Sequence, residues 1–162
     1  MALEIYATFD GVSGEAQKSG VEGWIEMFSF SMGSSNHSGV ATGTGSGTGK
    51  VEFTSISCTT QLEVSTPKLF SFNWSGKHIA TGTIIVREST GDTTTQPFYQ
   101  YVLKEVFVDS VSVGGAGGGC KPSVNYSFSF NFLEVKYWQQ ANDGTLTLAG
   151  DYGWNLTTNK AM

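Results

Sequence analysis

The chain of 162 residues has room for one domain with a substantial core. Only 14% of its residues are charged, 13% are aromatic and 21 are glycine, a composition typical of an all-β protein rather than of a disordered chain. The formal net charge is −5 and no run of lysine or arginine occurs, which argues against nucleic acid and against an anionic membrane as partners.

Strand-like alternation of apolar and polar residues recurs along the chain. It covers residues 4–9, 24–32, 51–62, 78–88, 97–113 and 123–138. Within residues 24–32 the apolar side chains change from odd to even positions. The size of Phe28 and Phe30 predicts that they fill the core, and alternation then sends Ser29 and Ser31 to the opposite face.

Residues 33–50 form a long loop rich in glycine, serine and threonine, with glycine at Gly43, Gly45, Gly47 and Gly49. Its end, GTGSGTGK, invites comparison with a phosphate-binding loop. That motif requires serine or threonine after the lysine and a helix beyond it, whereas Val51 follows Lys50 and a strand pattern begins. The loop is longer than joining two strands requires, which is typical of loops with a function of their own.

One helix is predicted, over residues 65–78. Ser65 or Thr66 is expected to cap its first turn, where Pro67 also fits. Gly76 suits the left-handed residue that ends a helix.

The stretch SVNYSFSFNFLEVKYW, residues 123–138, contains a second change of phase. Its even positions are aromatic as far as Phe132, and its odd positions then become apolar at Leu133, Val135 and Tyr137. A strand changes its buried face only through a bulge or with a second surface to bury.

The sequence Asp143-Gly144 predicts a tight hairpin near the C-terminus. With no linker and no internal repeat visible, the pattern predicts a single domain over residues 1–162. Its expected class is all-β dominated: an antiparallel β-barrel, or a sandwich, with one short α-helix and a long glycine-rich loop.

No catalytic, cofactor or metal site is expected. The chain has two histidines and two cysteines, none with metal-ligand spacing, and Cys58 and Cys120 are expected to be reduced and structural. The N-terminus has no basic and apolar leader pattern, and no segment has the length of a transmembrane helix. The two strand segments with a change of phase offer apolar residues on both faces, and no active site is apparent. Together these features favour a subunit of an assembly, which has extra apolar surface to bury.

Several segments in order resemble the haemolysin-coregulated protein (Hcp) family of type VI secretion. These are GWIEMFSFSMG, GTGSGTGKV, STPKLF followed by SGKH, LKEVFVDSVSVGGAGG and YGWN. The resemblance covers nearly the whole chain. Met32 stands where the family often has an aromatic residue.

The resemblance implies a homo-hexameric ring whose copies stack into a tube and carry effector proteins in the lumen. It implies spike and sheath components as further partners, and a cytoplasmic protein that the machine itself secretes without a cleaved signal peptide. Ser29 and Ser31 would line the lumen, the glycine loop would act between rings, and Leu133, Val135 and Tyr137 are candidates for the subunit interface. The alternatives are a phage tail-tube protein or a carbohydrate-binding module that stacks sugars on exposed tryptophans, drawn from Trp24, Trp74, Trp138 and Trp154.

Overall fold

The structure, a computed structural model, describes residues 2–36, 50–89 and 96–162. In these ranges it contains twelve strands and one helix. They are β1 (Leu3–Phe9), β2 (Ile25–Met27), β3 (Ser29–Ser31), β4 (Ser34–Asn36), β5 (Val51–Phe53), β6 (Ile56–Gln61), α1 (Ser65–Ser75), β7 (Ile79–Glu88), β8 (Pro97–Gly114), β9 (Ser123–Ser129), β10 (Phe132–Gln140), β11 (Leu146–Asn155) and β12 (Lys160–Ala161). The predicted all-β class with one short helix is confirmed.

Two antiparallel sheets share the long strand β8. The first has the order β12-β11-β10-β8-β7-β1-β2, and the second has the order β3-β6-β9-β8. No strand ladder joins β2 to β6 within the described ranges, so the barrel is not closed by sheet pairing. Single hydrogen bonds bridge the gap instead. The Phe28 N–H donates to the Thr59 carbonyl at 2.8 Å, and the Thr60 hydroxyl donates to the Glu26 carbonyl at 2.6 Å.

The apolar phase changes between β2 and β3 because the chain passes there from one sheet to the other. Met27 pairs with β1, whereas Ser29 already pairs with β6. Phe28 lies at the crossing and is 57% exposed, so its predicted place in the core is wrong. Phe30 is partly buried against the core, with its ring centroid 5.7 Å from that of Tyr101.

The second change of phase has a different cause. Strand β8 pairs antiparallel with β10 over its residues 99–104 and then with β9 over its residues 107–114. At the junction Glu105 has a φ of 51°, a left-handed conformation, and the Asn131 side-chain amide donates to its carboxylate at 2.6 Å. This paired irregularity shifts the buried phase from Phe130 to Leu133, and both belong to the same core. The odd phase at Leu133 therefore needs no second surface.

The ends of α1 agree with the prediction on one side only. Val64 is the N-cap and provides no side-chain hydrogen bond, so the expected capping by Ser65 or Thr66 is wrong. The two hydroxyl residues are buried instead. Gly76 ends the helix with a φ of 67°, as predicted.

The predicted hairpin at Asp143-Gly144 joins β10 to β11. Gly144 has a φ of 88°, which glycine adopts without steric cost. The Ala141 N–H donates to the Thr145 carbonyl at 2.8 Å and closes the turn.

Candidate functional site: a neutral hydroxyl face

Ser29 and Ser31 lie on the outer face of the second sheet. Both are exposed, while Phe30 between them packs against the core. In the ladder Ser29 pairs with Thr59 and Ser31 pairs with Ser57. Alternation thus places the two serines outside, as the sequence predicted.

The same polar character continues across all four strands of the sheet. Cross-strand pairing forms one row of Ser29, Thr59, Asn125 and Ser112, and a second row of Ser31, Ser57, Ser127 and Ser110. We call these eight residues the hydroxyl face. None is charged. Each of the four strands directs its apolar side chains into the core and small neutral side chains to the outside.

Hydrogen bonds between strands fix part of the hydroxyl face. The Thr59 hydroxyl donates to the Asn125 side-chain oxygen at 2.9 Å, and the Ser57 and Ser127 hydroxyl oxygens lie 3.4 Å apart. At the margin the Asp109 carboxylate accepts hydrogen bonds from Ser55 and Ser129, each at 2.8 Å. The Asp109 carboxylate is thereby hydrogen-bonded within its own chain.

The hydroxyl face contains no histidine, cysteine or acidic residue. In the described ranges no three histidine, cysteine or acidic side chains come together as a metal site would require. Cys58 lies in the core, and burial raises the pKa of its thiol to about 12, so it stays protonated and unreactive. Cys120 is exposed, and the two thiols are free.

The candidate interface residues on β10 differ in exposure. Leu133 is only 4% exposed and packs in the core of its own chain, which leaves little of it for a neighbour to contact. Val135 is partly buried, whereas Tyr137 is 47% exposed. The proposed stacking residues Gly43, Gly45, Gly47 and Gly49 lie outside the described residues.

Sequence reasoning found Ser29 and Ser31 but not the breadth of the surface they belong to. The missed members on β6 and β8 show the same alternation, in the segments SISCT and DSVSV. Only the pairing of β3 with β6, and of β9 with both β6 and β8, brings them together.

The helix in the described part of the chain is not long and apolar enough to cross a membrane.

Fold and surface together define a class of protein. It is a β-rich protein with one helix in the described ranges, and its second sheet presents a broad, neutral hydroxyl face.

Comparison with known proteins gives the family. The family model described as "Type VI secretion system effector, Hcp" matches residues 6–137. The chain is 34% identical over 111 residues to Protein hcp1 of Pseudomonas aeruginosa, covering 68% of each. The chain belongs to the Hcp family of the type VI secretion system.

Solved structures agree with this assignment. A type six secretion system protein superposes with a TM-score of 0.91 at 28% identity, covering 99% of this chain and 100% of that one. Hcp1 from Salmonella typhimurium gives a TM-score of 0.78 at 24% identity, covering all of both chains, and shows the common fold. The resemblance seen in the sequence is confirmed.

Proposed function

We propose that this protein is a structural subunit rather than an enzyme. Six copies form a ring, rings stack into the inner tube of a type VI secretion system, and effector proteins are carried in the lumen. The hydroxyl face carries the proposal: four adjacent strands present eight small neutral residues on one surface.

A neutral hydroxyl surface suits the wall of a transport channel. Hydroxyl and amide groups exchange hydrogen bonds with water or with a protein guest at little net cost. The eight residues carry no charge that would bind cargo through strong ion pairs, and their small side chains leave the channel open. Passing proteins are then held weakly and released.

Closure of the ring needs a heterologous contact, which propagates as an open filament if its rotation does not close. Tyr137, with Val135 beside it in the strand pattern, remains the candidate on β10, and the glycine loop within residues 33–49 is proposed to act between rings. Spike and sheath components are the further partners of the tube. The protein is made in the cytoplasm and leaves it through the secretion machine.

The experiment is a Ser31→Gln substitution. Six longer side chains would project into one channel, so retention of an effector from the same secretion system should fall. The fold and the hexamer mass should not change, because Ser31 is exposed. Thermal melting, light scattering and effector co-purification report the three quantities on one sample.

The matched control is Ser13→Gln, an exposed loop serine far from the hydroxyl face in sequence and outside every strand. It should retain effector as the parent does. If a Ser31→Gln hexamer retains effector as the parent does, the assignment of Ser31 to the lumen is wrong. If the parent chain stays monomeric, the proposed ring is wrong.

The carbohydrate-binding alternative has less support. Among its four candidate platforms, Trp24, Trp138 and Trp154 are partly buried and only Trp74 is widely exposed.

A further inference from the structure

The end of helix α1 presents an unpartnered aromatic surface. Trp74 is 78% exposed, more than any other large apolar side chain in the described part of the chain. The ring of Phe70, one turn earlier, lies beside it with centroids 5.3 Å apart. Tryptophan is the residue type most often found at the energetic centre of protein interfaces, so its exposure indicates a contact surface.

This surface is fastened to the sheet and carries one exposed lysine. The Asn73 side-chain amide donates to the carbonyl oxygens of Val108 and Asp109, at 2.9 and 3.1 Å, and fastens the helix end to β8. Lys77 is exposed just beyond the helix. Residues 65–78 contain two lysines and no acidic residue, in a chain whose net charge is −5. We call Phe70, Trp74 and Lys77 the aromatic–basic patch.

A surface of opposite character lies near the other end of the helix. A pocket of about 210 Å³ is lined by three carboxylates, Glu15, Glu26 and Glu63, and by the apolar side chains of Phe28 and Leu62. Lys121 is the single cation in its wall, so the carboxylates outnumber it. We call this the acidic pocket.

The acidic pocket combines the two properties that the aromatic–basic patch needs in a partner. Phe28 is 57% exposed and Leu62 is 39% exposed, which provides apolar area for an indole. Burial, with the charges of Glu15 and Glu26 adding to it, raises the pKa of Glu63 above its ordinary value. A cation brought to these carboxylates would relieve their repulsion.

One chain cannot join its own patch to its own pocket. Glu63 lies just before the helix begins at Ser65, and Trp74 lies at its last turn. Eleven helical residues separate the two ends by roughly 16 Å. Two different surfaces on one molecule, each complementary to the other, are the requirement for a head-to-tail contact between copies.

We propose that the aromatic–basic patch of one copy docks into the acidic pocket of a second copy of this chain. The inference rests on the proposed function, since it names a contact that joins copies of the subunit. Trp74 packs against Phe28 and Leu62, and Lys77 approaches the carboxylates.

Cross-linking tests the contact directly. In a Cys120→Ser background, where the other thiol is buried, Lys77→Cys and Glu26→Cys are combined in one chain and treated with a short bis-maleimide. A ladder of covalent oligomers is expected, within rings or between stacked rings. The control pairs Lys77→Cys with Leu3→Cys, another exposed position, and should give no ladder. Absence of a ladder from the test pair while rings persist overturns the inference and leaves the ring intact.

Charge exchange gives an independent test. Lys77→Glu alone and Glu26→Lys alone should each raise the concentration at which the assembly dissociates by about tenfold. Both sites are exposed, so neither change should lower the melting temperature of the monomer. An equimolar mixture should reassemble, because every contact in an alternating arrangement again joins opposite charges.

The outcomes separate the two proposals. Single variants that assemble like the parent, or a mixture no better than its components, would overturn the docking contact but not the ring. A parent chain that is monomeric at every concentration would remove both.

Discussion

Arg87 is a buried cation that the fold compensates with several partners. It is 4% exposed, and its Nε donates to the Glu4 carboxylate at 3.2 Å. Its second nitrogen donates to the Ser19 carbonyl at 3.0 Å, and its guanidinium lies 4.9 Å from the centre of the Tyr6 ring. Lys18 binds the other oxygen of Glu4. Ionised Glu4 is thus the counter-ion that compensates the buried positive charge of Arg87.

Glu4 should therefore link stability to pH. Burial by itself raises the pKa of Glu4, but the hydrogen bonds from Lys18, Ser89 and Arg87 together bring that pKa below its ordinary value of 4.5. A carboxyl with a lowered folded-state pKa stabilises the fold above the unfolded value, and this contribution is lost as the pH falls through the folded value.

Replacing Glu4 by glutamine should lower the free energy of unfolding at neutral pH by about 2 kcal/mol, because Arg87 loses its counter-ion. Below about pH 4.5 the difference from the parent should shrink as Glu4 itself becomes protonated. Urea unfolding at a series of pH values measures both effects, with exposed Glu52→Gln as control. A constant difference between the curves across the acid range would contradict the linkage.

At the scale of elements, the irregularity at Glu105 lets one long strand serve two sheets. The left-handed conformation costs a non-glycine residue roughly 1–2 kcal/mol. It shifts the apolar phase of β8, so that Leu103 on one side and Val106 on the other both enter the core. For the stability of the fold, the left-handed backbone conformation at residue 105 matters more than the glutamate side chain.

We expect Glu105→Val to unfold more readily than Glu105→Gly, by about 1 kcal/mol or more, because a β-branched residue resists positive φ and glycine accepts it. At neighbouring Lys104, where φ is not positive, the order should reverse, since glycine weakens an ordinary strand. Chemical denaturation of the four variants compares the two sites. The same order at both would show that backbone conformation at Glu105 is not what matters.

Much of this element structure could be predicted from the sequence, and the reasons for the failures are physical. Period-two alternation located most strands, and Gly76 marked the end of the only described helix. Nothing in the residue type of Glu105 signals a left-handed conformation, so the change of phase suggested a second surface. The size of Phe28 predicts a place in the core, and this prediction is wrong because hydrophobicity does not reveal where a chain crosses between sheets.

The candidate site was predictable in the same partial way. Alternation around Phe30 is enough to put Ser29 and Ser31 on an outer face. The full hydroxyl face depends on β6 pairing with β3 on one side and with β9 on the other. Such long-range pairing leaves no local mark in a sequence.

At the scale of the whole molecule, β10 contains both residues that stabilise the folded chain and exposed residues that are candidates for contact with another copy. Leu133→Asp should prevent folding, because a charge at a 4% exposed core position costs several kcal/mol. Tyr137→Asp should leave the melting temperature nearly unchanged, since Tyr137 is 47% exposed. If the proposed ring uses this part of β10, the same change should reduce the mass of the assembly.

Circular dichroism melting and light scattering on the two variants give the comparison. A Leu133→Asp chain that folds would contradict the core assignment. A Tyr137→Asp chain with full ring mass would show that this part of β10 faces solvent.

The pairing of β1 has a consequence for synthesis of the chain. From Leu3↔Glu88 to Phe9↔Gly82, β1 pairs along its whole length with β7, which the ribosome makes roughly 80 residues later. At 5–20 residues per second that delay is roughly 4–16 s. By contrast, the pairings of β7 with β8 and of β10 with β11 join consecutive strands. During the delay β1 can pair only with the three-residue strand β2. Its other edge has no native partner, so that edge is open to mispairing until β7 has been made.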